Sequence, residues 1–313
     1  MKNKKIISMV SLIITASMLL LVTSCTGSFD DTKYAVISEN NLTDDGLVYS
    51  VYENKTAVIT GRQVDYEELT IPDKVNGYDV VEIGECAFEG DEMLVLLNIG
   101  KNVTVIRDNA FSECTALARV QVGESLKKVS SGAFYNCTRL AEFIGATKLE
   151  YIDEVAFYNC TALAYFDFSE TVTTISNEAF SGCERLTEIA LPIKLKTLGD
   201  GVFSYCSSLT RVSMGNIESI PNRLFLNCVS LDRVTISPKV SEIGAHAFRG
   251  CSNLKIVNLP KSVKRVGEAA FAQCEALKEV YYGGSASAFG KITMGAENDF
   301  LTSSSFVYNQ KFN

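Results

Sequence analysis

The sequence predicts an α/β solenoid, in which many short strand-and-turn units wind on one another around a shared interior. Three observations predict it. A phenylalanine returns at positions 88, 111, 134, 157, 180, 203, 225, 248 and 271, in steps of 23 residues with a single step of 22. A leucine stands six residues after each of them, from Leu94 to Leu277, without exception. Nine and eleven residues after the phenylalanine come apolar pairs, such as Val120 and Val122, Ile189 and Leu191, or Val257 and Leu259. Alternation of period two marks a strand with one buried face.

A second short extended segment precedes each phenylalanine, with an apolar residue five positions before it, as at Ile83, Ile106, Val129 and Ile152. The alanine before the phenylalanine and the cysteine three residues after it share one side of a helical turn with it. Each unit therefore reads as strand, turn, short extended return and one helical turn. Such a unit cannot bury its apolar side alone. Stacking, with paired strands about 4.8 Å apart, turns every column into a continuous ladder. The 23-residue period excludes tetratricopeptide and ankyrin arrays, which repeat at about 33 to 34 residues.

The pattern L-x-x-V-x-[IL], with its fuller form IGAHAFRGCSNLKIVNLPKSVKRVG, resembles the BspA-like branch of the leucine-rich-repeat family, and the likeness runs over residues 83–282. Eight residues after the leucine, where the general leucine-rich pattern has Asn or Cys, stand Ser125, Lys148, Thr171, Lys194, Lys239 and Ser262. That departure favours the BspA-like subtype over one with a buried Asn ladder. The resemblance implies a leucine-rich-repeat coil with a parallel β-sheet on its concave side, short helical turns on the other side, and β-rich caps at both ends.

The chain divides in order. Residues 1–24 read as a signal peptide: Lys2, Lys4 and Lys5 precede an apolar run from Ile6 to Val22, and small residues follow. With Cys25 next, the segment resembles a bacterial lipobox, which implies that Cys25 carries a diacylglycerol thioether and becomes the new N-terminus. An uncleaved membrane anchor is the alternative, the run being near the lower limit for a span. On both readings the repeats are extracytoplasmic and held at a membrane. Removal of residues 1–24 leaves 26 basic and 37 acidic side chains, a net charge of −11, which argues against nucleic acid or anionic lipid as the partner. Residues 25–43 read as the lipidated cysteine and a tether. Residues 44–82 read as an N-terminal β cap, with a hairpin about Glu53-Asn54-Lys55, covering an edge that otherwise invites aggregation. Nine repeats fill 83–282. Residues 283–313 read as a C-terminal cap with a turn at Gly283-Gly284, a short helix near 285–291, a strand near 305–308, and Phe289 plugging the ladder.

Eight repeats carry the cysteine, from Cys114 to Cys274, and Asp91 takes its place in the first. Many cysteines in an exported chain ordinarily mean disulfides. These sit singly at equivalent inward positions, in turns expected to stack farther apart than strands. They read as buried free thiols acting as small hydrophobes; bridging between coils, or a metal held by mixed clustered ligands, are the alternatives. Cys86 reads as another packed thiol. One residue is missing near Gly215-Asn216-Ile217, predicting a tighter turn, and Gly145 replaces a core side chain, predicting a bulge.

Strand positions eight and ten after each phenylalanine face outward. The first of these rows reads Leu96, Arg119, Glu142, Tyr165, Glu188, Arg211, Arg233, Ile256, Glu279, so Arg119 is expected to pair with Glu142 and Glu188 with Arg211. Arg211 and Arg233 come together with no acid between them. With Tyr165 and Tyr281 they form the candidate partner-binding set, since Arg and Tyr commonly anchor interfaces; an ordinary solvated sheet face is the alternative. His246, the only histidine, is expected to be exposed, so Ser-His-Asp, Cys-His and HExxH sites have at most one available member. No cofactor, metal or enzymatic activity is expected. The resemblance implies an adhesin-like, lipid-anchored cell-surface protein that holds a protein or other macromolecule, of host or bacterial surface, against its inner curve. A passive spacer and an accessory carbohydrate binder are the alternatives; the chain has no Trp to serve as a glycan platform.

Overall fold

A computed structural model describes residues 34–311. The signal segment, Cys25 and the tether as far as residue 33 lie outside the described residues. The fold is a parallel β-solenoid with little helix. All but one of the coils among the described residues contribute to two rows of strands. A front row follows the phenylalanine and includes Leu96–Ile99, Arg119–Gln121, Glu142–Ile144, Glu188–Ala190, Arg211–Ser213, Arg233–Thr235, Ile256–Leu259 and Glu279–Tyr282. A return row precedes it and includes Val105–Ile106, Lys128–Val129, Tyr151–Ile152, Thr174–Ile175 and Thr197–Leu198. Pairing is parallel and in register: Val120 lies beside Phe143, and Val129 beside Ile152. All the repeat phenylalanines and leucines belong to one interior, and the phenylalanine rings stack with centroids 5.1 to 6.0 Å apart.

The tract around each phenylalanine is not the expected helical turn. Residues two before and two after every phenylalanine have positive φ, as at Asn109 (53°) and Glu113 (61°), Gly132 (61°) and Asn136 (57°), or His246 (58°) and Gly250 (75°). A left-handed residue at every fourth position ends any right-handed helix. What it achieves is to aim alternate amides at the next coil. Asn109 N–H donates to the Ser131 carbonyl (2.9 Å), Phe111 N–H to Ala133 (2.8 Å) and Glu113 N–H to Tyr135 (2.7 Å). The amides between them close turns within the coil, such as Ala110 to Arg107 and Cys114 to Phe111. A helix would keep all of these bonds to itself. The turn tracts are therefore bonded coil to coil, not spaced farther apart than the strands.

The 22-residue repeat interrupts both strand rows. The return row stops at Thr197–Leu198 and restarts at Ser219–Ile220; the front row breaks between Arg211–Ser213 and Arg233–Thr235. Gly215 makes the shortened turn with φ 54°, where an added Cβ would lie 2.8 Å from the Leu191 carbonyl oxygen. Across this step the phenylalanine rings part to 6.0 Å, yet Phe203 N–H still reaches the Leu224 carbonyl at 3.1 Å. The bulge expected at Gly145 is absent: Glu142–Ile144 pairs without slip, and Gly145, at φ 98°, simply turns the chain out of the strand.

Both ends carry polar groups that the repeats lack. Val36–Leu42, Leu47–Tyr52 and Thr56–Arg62 form an antiparallel meander whose last strand pairs in parallel with Tyr78–Ile83. The tether expected over 25–43 is thus shortened, because Val36 pairs with Tyr52 and the Asn41 side chain bonds the Tyr49 carbonyl at 3.2 Å. Asp91, in the cysteine position of the first repeat, meets Arg62 at 2.5 Å, with side chains 12 % and 5 % exposed. At the far end the closing segment is one more coil: Thr293–Met294 pairs with Arg265–Val266, and Ser305–Val307 with residues 279–281. Asn298, 3 % exposed, stands where the next phenylalanine tract would be. Its Oδ1 accepts from Phe271 N–H (3.0 Å), and its Nδ2 donates to the carbonyls of Gly267 and Gly295 (2.9 Å each). Helices Ala286–Phe289 and Asp299–Thr302, the only α-helices among the described residues, flank this coil. Phe289 packs against Tyr282 and Phe306, with centroids 5.5 and 4.5 Å away.

Two stability measurements follow. Asn298→Ala orphans the Phe271 amide and two carbonyls and is expected to cost about 2 to 3 kcal/mol in denaturant unfolding. Val155, β-branched at φ 49°, is the costliest side chain in a left-handed position, so Val155→Asn is expected to add about 1 kcal/mol.

Candidate interaction surface

The outward face of the front row carries the side chains marked by sequence. Arg119 and Glu142 pair at 2.9 Å, as do Arg211 and Glu188 at 3.0 Å, because parallel register sets equivalent positions side by side. Arg211 is thus answered by an acid one coil back and is also separated from Arg233 by the break in the row. Arg233 is exposed and has no ion pair among the described residues. The Tyr281 hydroxyl donates to Glu279 at 2.7 Å. That bond and the carboxylate's charge raise the phenol's pKa, while Arg233 opposes the rise. Tyr165 is 57 % exposed. The four residues lie along one face over several coils and do not converge on a pocket.

Tyr165 occupies a second break. No strand forms between Glu142–Ile144 and Glu188–Ala190 on the front row. Here Phe143, Phe166 and Phe168 fill interior positions held in most other coils by aliphatic side chains, and their rings pack edge-on against Phe157 and Phe180. Sequence reading expected a strand here and missed this gap. Nearby, Ile144 is 37 % exposed. Toward the N-terminal end Glu68, Leu96, Asn98, Arg119 and Gln121 line a shallow open depression.

The profile of the BspA type leucine rich repeat region (6 copies) matches residues 63–187 and 173–298. The chain belongs to the BspA-type leucine-rich-repeat family. A leucine-rich repeat protein from Bacteroides ovatus has the same fold, with 21 % identity over 87 % of this chain and 80 % of that one, and a TM-score of 0.56. The pneumococcal vaccine antigen PcpA is similar at 17 % identity over 89 % and 88 %, with a TM-score of 0.54. A leucine rich cell surface protein from Faecalibacterium prausnitzii shares 23 % identity over 80 % and 97 %, with a TM-score of 0.42. No curated protein matches the sequence.

In this BspA-type coil the eight repeat cysteines are free and buried. They are more than small hydrophobes. Each Sγ donates to the carbonyl of the preceding coil's phenylalanine, from Cys114 to Phe88 (3.0 Å) through Cys274 to Phe248 (3.2 Å). Among the described residues no cluster of three or more His, Cys, Asp or Glu is placed to hold a metal. Cys86 is not one of the eight ladder thiols. It sits half-buried at the solenoid's end, outside the ladder that encloses the others. His246 is half-buried rather than exposed, in a tract where its backbone is left-handed (58°). Cys25 lies outside the described residues.

Burial pushes every ladder thiol up, Cys114 and Cys274 to about 12. An unfolded chain's thiols ionise near about pH 8.5. Because the folded value is the raised one, this stabilisation is complete below about pH 8.5 and is lost as pH climbs toward about 12. With eight thiols at about 1.4 kcal/mol per pH unit each, the guanidinium midpoint is expected to fall steeply between about pH 8 and 10. The Cys160→Ala/Cys183→Ala variant is expected to lessen that slope by two protons; a flat profile in the parent protein contradicts the ladder's protonation.

Proposed function

We propose that this BspA-type protein is a lipid-anchored, extracytoplasmic surface protein that binds another protein, of host or bacterial surface, through the outward face of its front row. The observation that carries this reading is Arg233 with Tyr165: an unpaired guanidinium and an exposed aromatic ring, fixed on a rigid coil beside two breaks in the strand row. Such side chains anchor interfaces, and a pre-set backbone reduces the ordering cost of contact. Tyr281 extends the surface; Arg211 contributes less, being already paired. The front row is assigned to the inner curve, and the meander and the closing coil act as caps. The function is a scaffold's rather than an enzyme's, since the chain has a single histidine, which leaves histidine-based catalytic constellations at most one member.

The lipid anchor rests on the basic start, the apolar run and the small residues before Cys25. Mass spectrometry of the mature N-terminus is expected to find diacylglycerol on Cys25; an unmodified, uncleaved terminus ends that reading. In capture from surface extracts, Tyr165→Ala with Arg233→Glu is expected to weaken retention about tenfold or more, equivalent to about 1.4 kcal/mol, and Arg211→Glu to weaken it less. Unchanged capture favours the spacer role.

A further inference from the structure

Charge is distributed unevenly between the two kinds of connection in each coil. The loops joining front row to return row, residues 100–105, 123–128, 146–151, 169–174, 192–197, 215–219, 237–242 and 260–265, hold ten Lys or Arg and five Asp or Glu. The ten-residue phenylalanine tracts, beginning at residues 84, 107, 130, 153, 176, 199, 221, 244 and 267, hold five basic and thirteen acidic residues. An acidic chain thus carries a basic edge, interrupted at the loops of Glu170 and Glu218, which hold no cation.

Four of those ten cations are answered by acids: Lys101 by Asp73 (3.2 Å), Lys127 by Glu150 (3.7 Å), Lys128 by Asp153 (2.9 Å) and Arg265 by Glu242 (3.5 Å). Lys148, Lys194, Lys196, Lys239, Lys261 and Lys264 are exposed, and among the described residues none of them is in an ion pair. They run from the third to the eighth coil, a line of about 24 Å at about 4.8 Å per coil. All six are lysines, whereas the front row uses arginines. An ammonium is a rotatable point charge without the planar fork that grips one carboxylate or phosphate. A row of them responds to charge density along a line, not to a single group.

We infer that this lysine edge binds a linear anionic polysaccharide, whose charges repeat along an extended chain. The site is separate from the front-row face and stands or falls independently of it. Each exposed pair contributes little, so affinity comes from the number of pairs and is strongly screened by salt.

The test uses the full chain and immobilised heparin as the probe, with capture followed as salt is raised. Binding is expected at low ionic strength, with loss at high salt, and none to uncharged dextran. The variant Lys148→Glu/Lys194→Glu/Lys239→Glu/Lys261→Glu is expected to bind about thirtyfold or more weakly. A control with the same charge change elsewhere, Lys55→Glu/Lys278→Glu/Lys291→Glu/Lys311→Glu, is expected to stay within about twofold of the parent. Thermal unfolding by circular dichroism checks both folds; if the fourfold variant unfolds, Lys194→Glu/Lys239→Glu replaces it, with a shallower salt dependence expected. Equal loss in the control attributes capture to bulk charge and overturns the proposal, as does an edge variant that binds like the parent. Tighter capture of duplex DNA than of heparin overturns the polysaccharide assignment.

Discussion

The structure depends on the amide bonds that each phenylalanine tract sends to the next coil. Three N–H groups per coil reach a neighbour's carbonyls only because the residues two before and two after the phenylalanine are left-handed. A tract of fixed length is the result, since removing one residue would aim every amide at the wrong side. Where the chain does lose a residue, the loss falls in the loop at Gly215, and the strand rows break while the phenylalanine tract runs on. The spine of this solenoid is therefore its turns, and the strands are the part that tolerates interruption.

A spine of repeated donors and acceptors has to end somewhere, and both ends are chemically distinct. Within the ladder each phenylalanine carbonyl accepts from its own coil's cysteine amide and from the next coil's thiol. The first coil has no such carbonyl before it, and there the cysteine gives way to Asp91, held by Arg62. At the other end no further phenylalanine tract exists to accept the Phe271 amide. The Asn298 side chain supplies the missing carbonyl. Buried polar groups left without partners are expensive, so these substitutions at the ends are what allow a repetitive interior to have a finite length.

An interior specified so strictly leaves the outward positions free to differ from coil to coil. On the front row that freedom produces salt-bridged pairs in the regular coils and uncompensated Arg and Tyr side chains beside the breaks. On the loop edge it produces a line of lysines in a chain of net negative charge. Rigid backbone beneath both surfaces fixes the spacing of their side chains at whole numbers of coils, which is the property a repeat scaffold offers to an extended partner.

The period, the buried columns, the two strand segments per coil and the pairs Arg119–Glu142 and Glu188–Arg211 were legible in the sequence by itself. Each follows from local alternation plus a constant step, and parallel register brings equivalent positions together. Tertiary structure alone decided the rest: left-handed turns in place of helical ones, thiols as donors, the gap at Tyr165 and the role of Asn298. A single helical turn satisfies the same inward pattern of Ala, Phe and Cys, so burial cannot distinguish the two conformations. What distinguishes them is a set of hydrogen bonds to residues a full coil away, and those partners exist only once the coils are stacked.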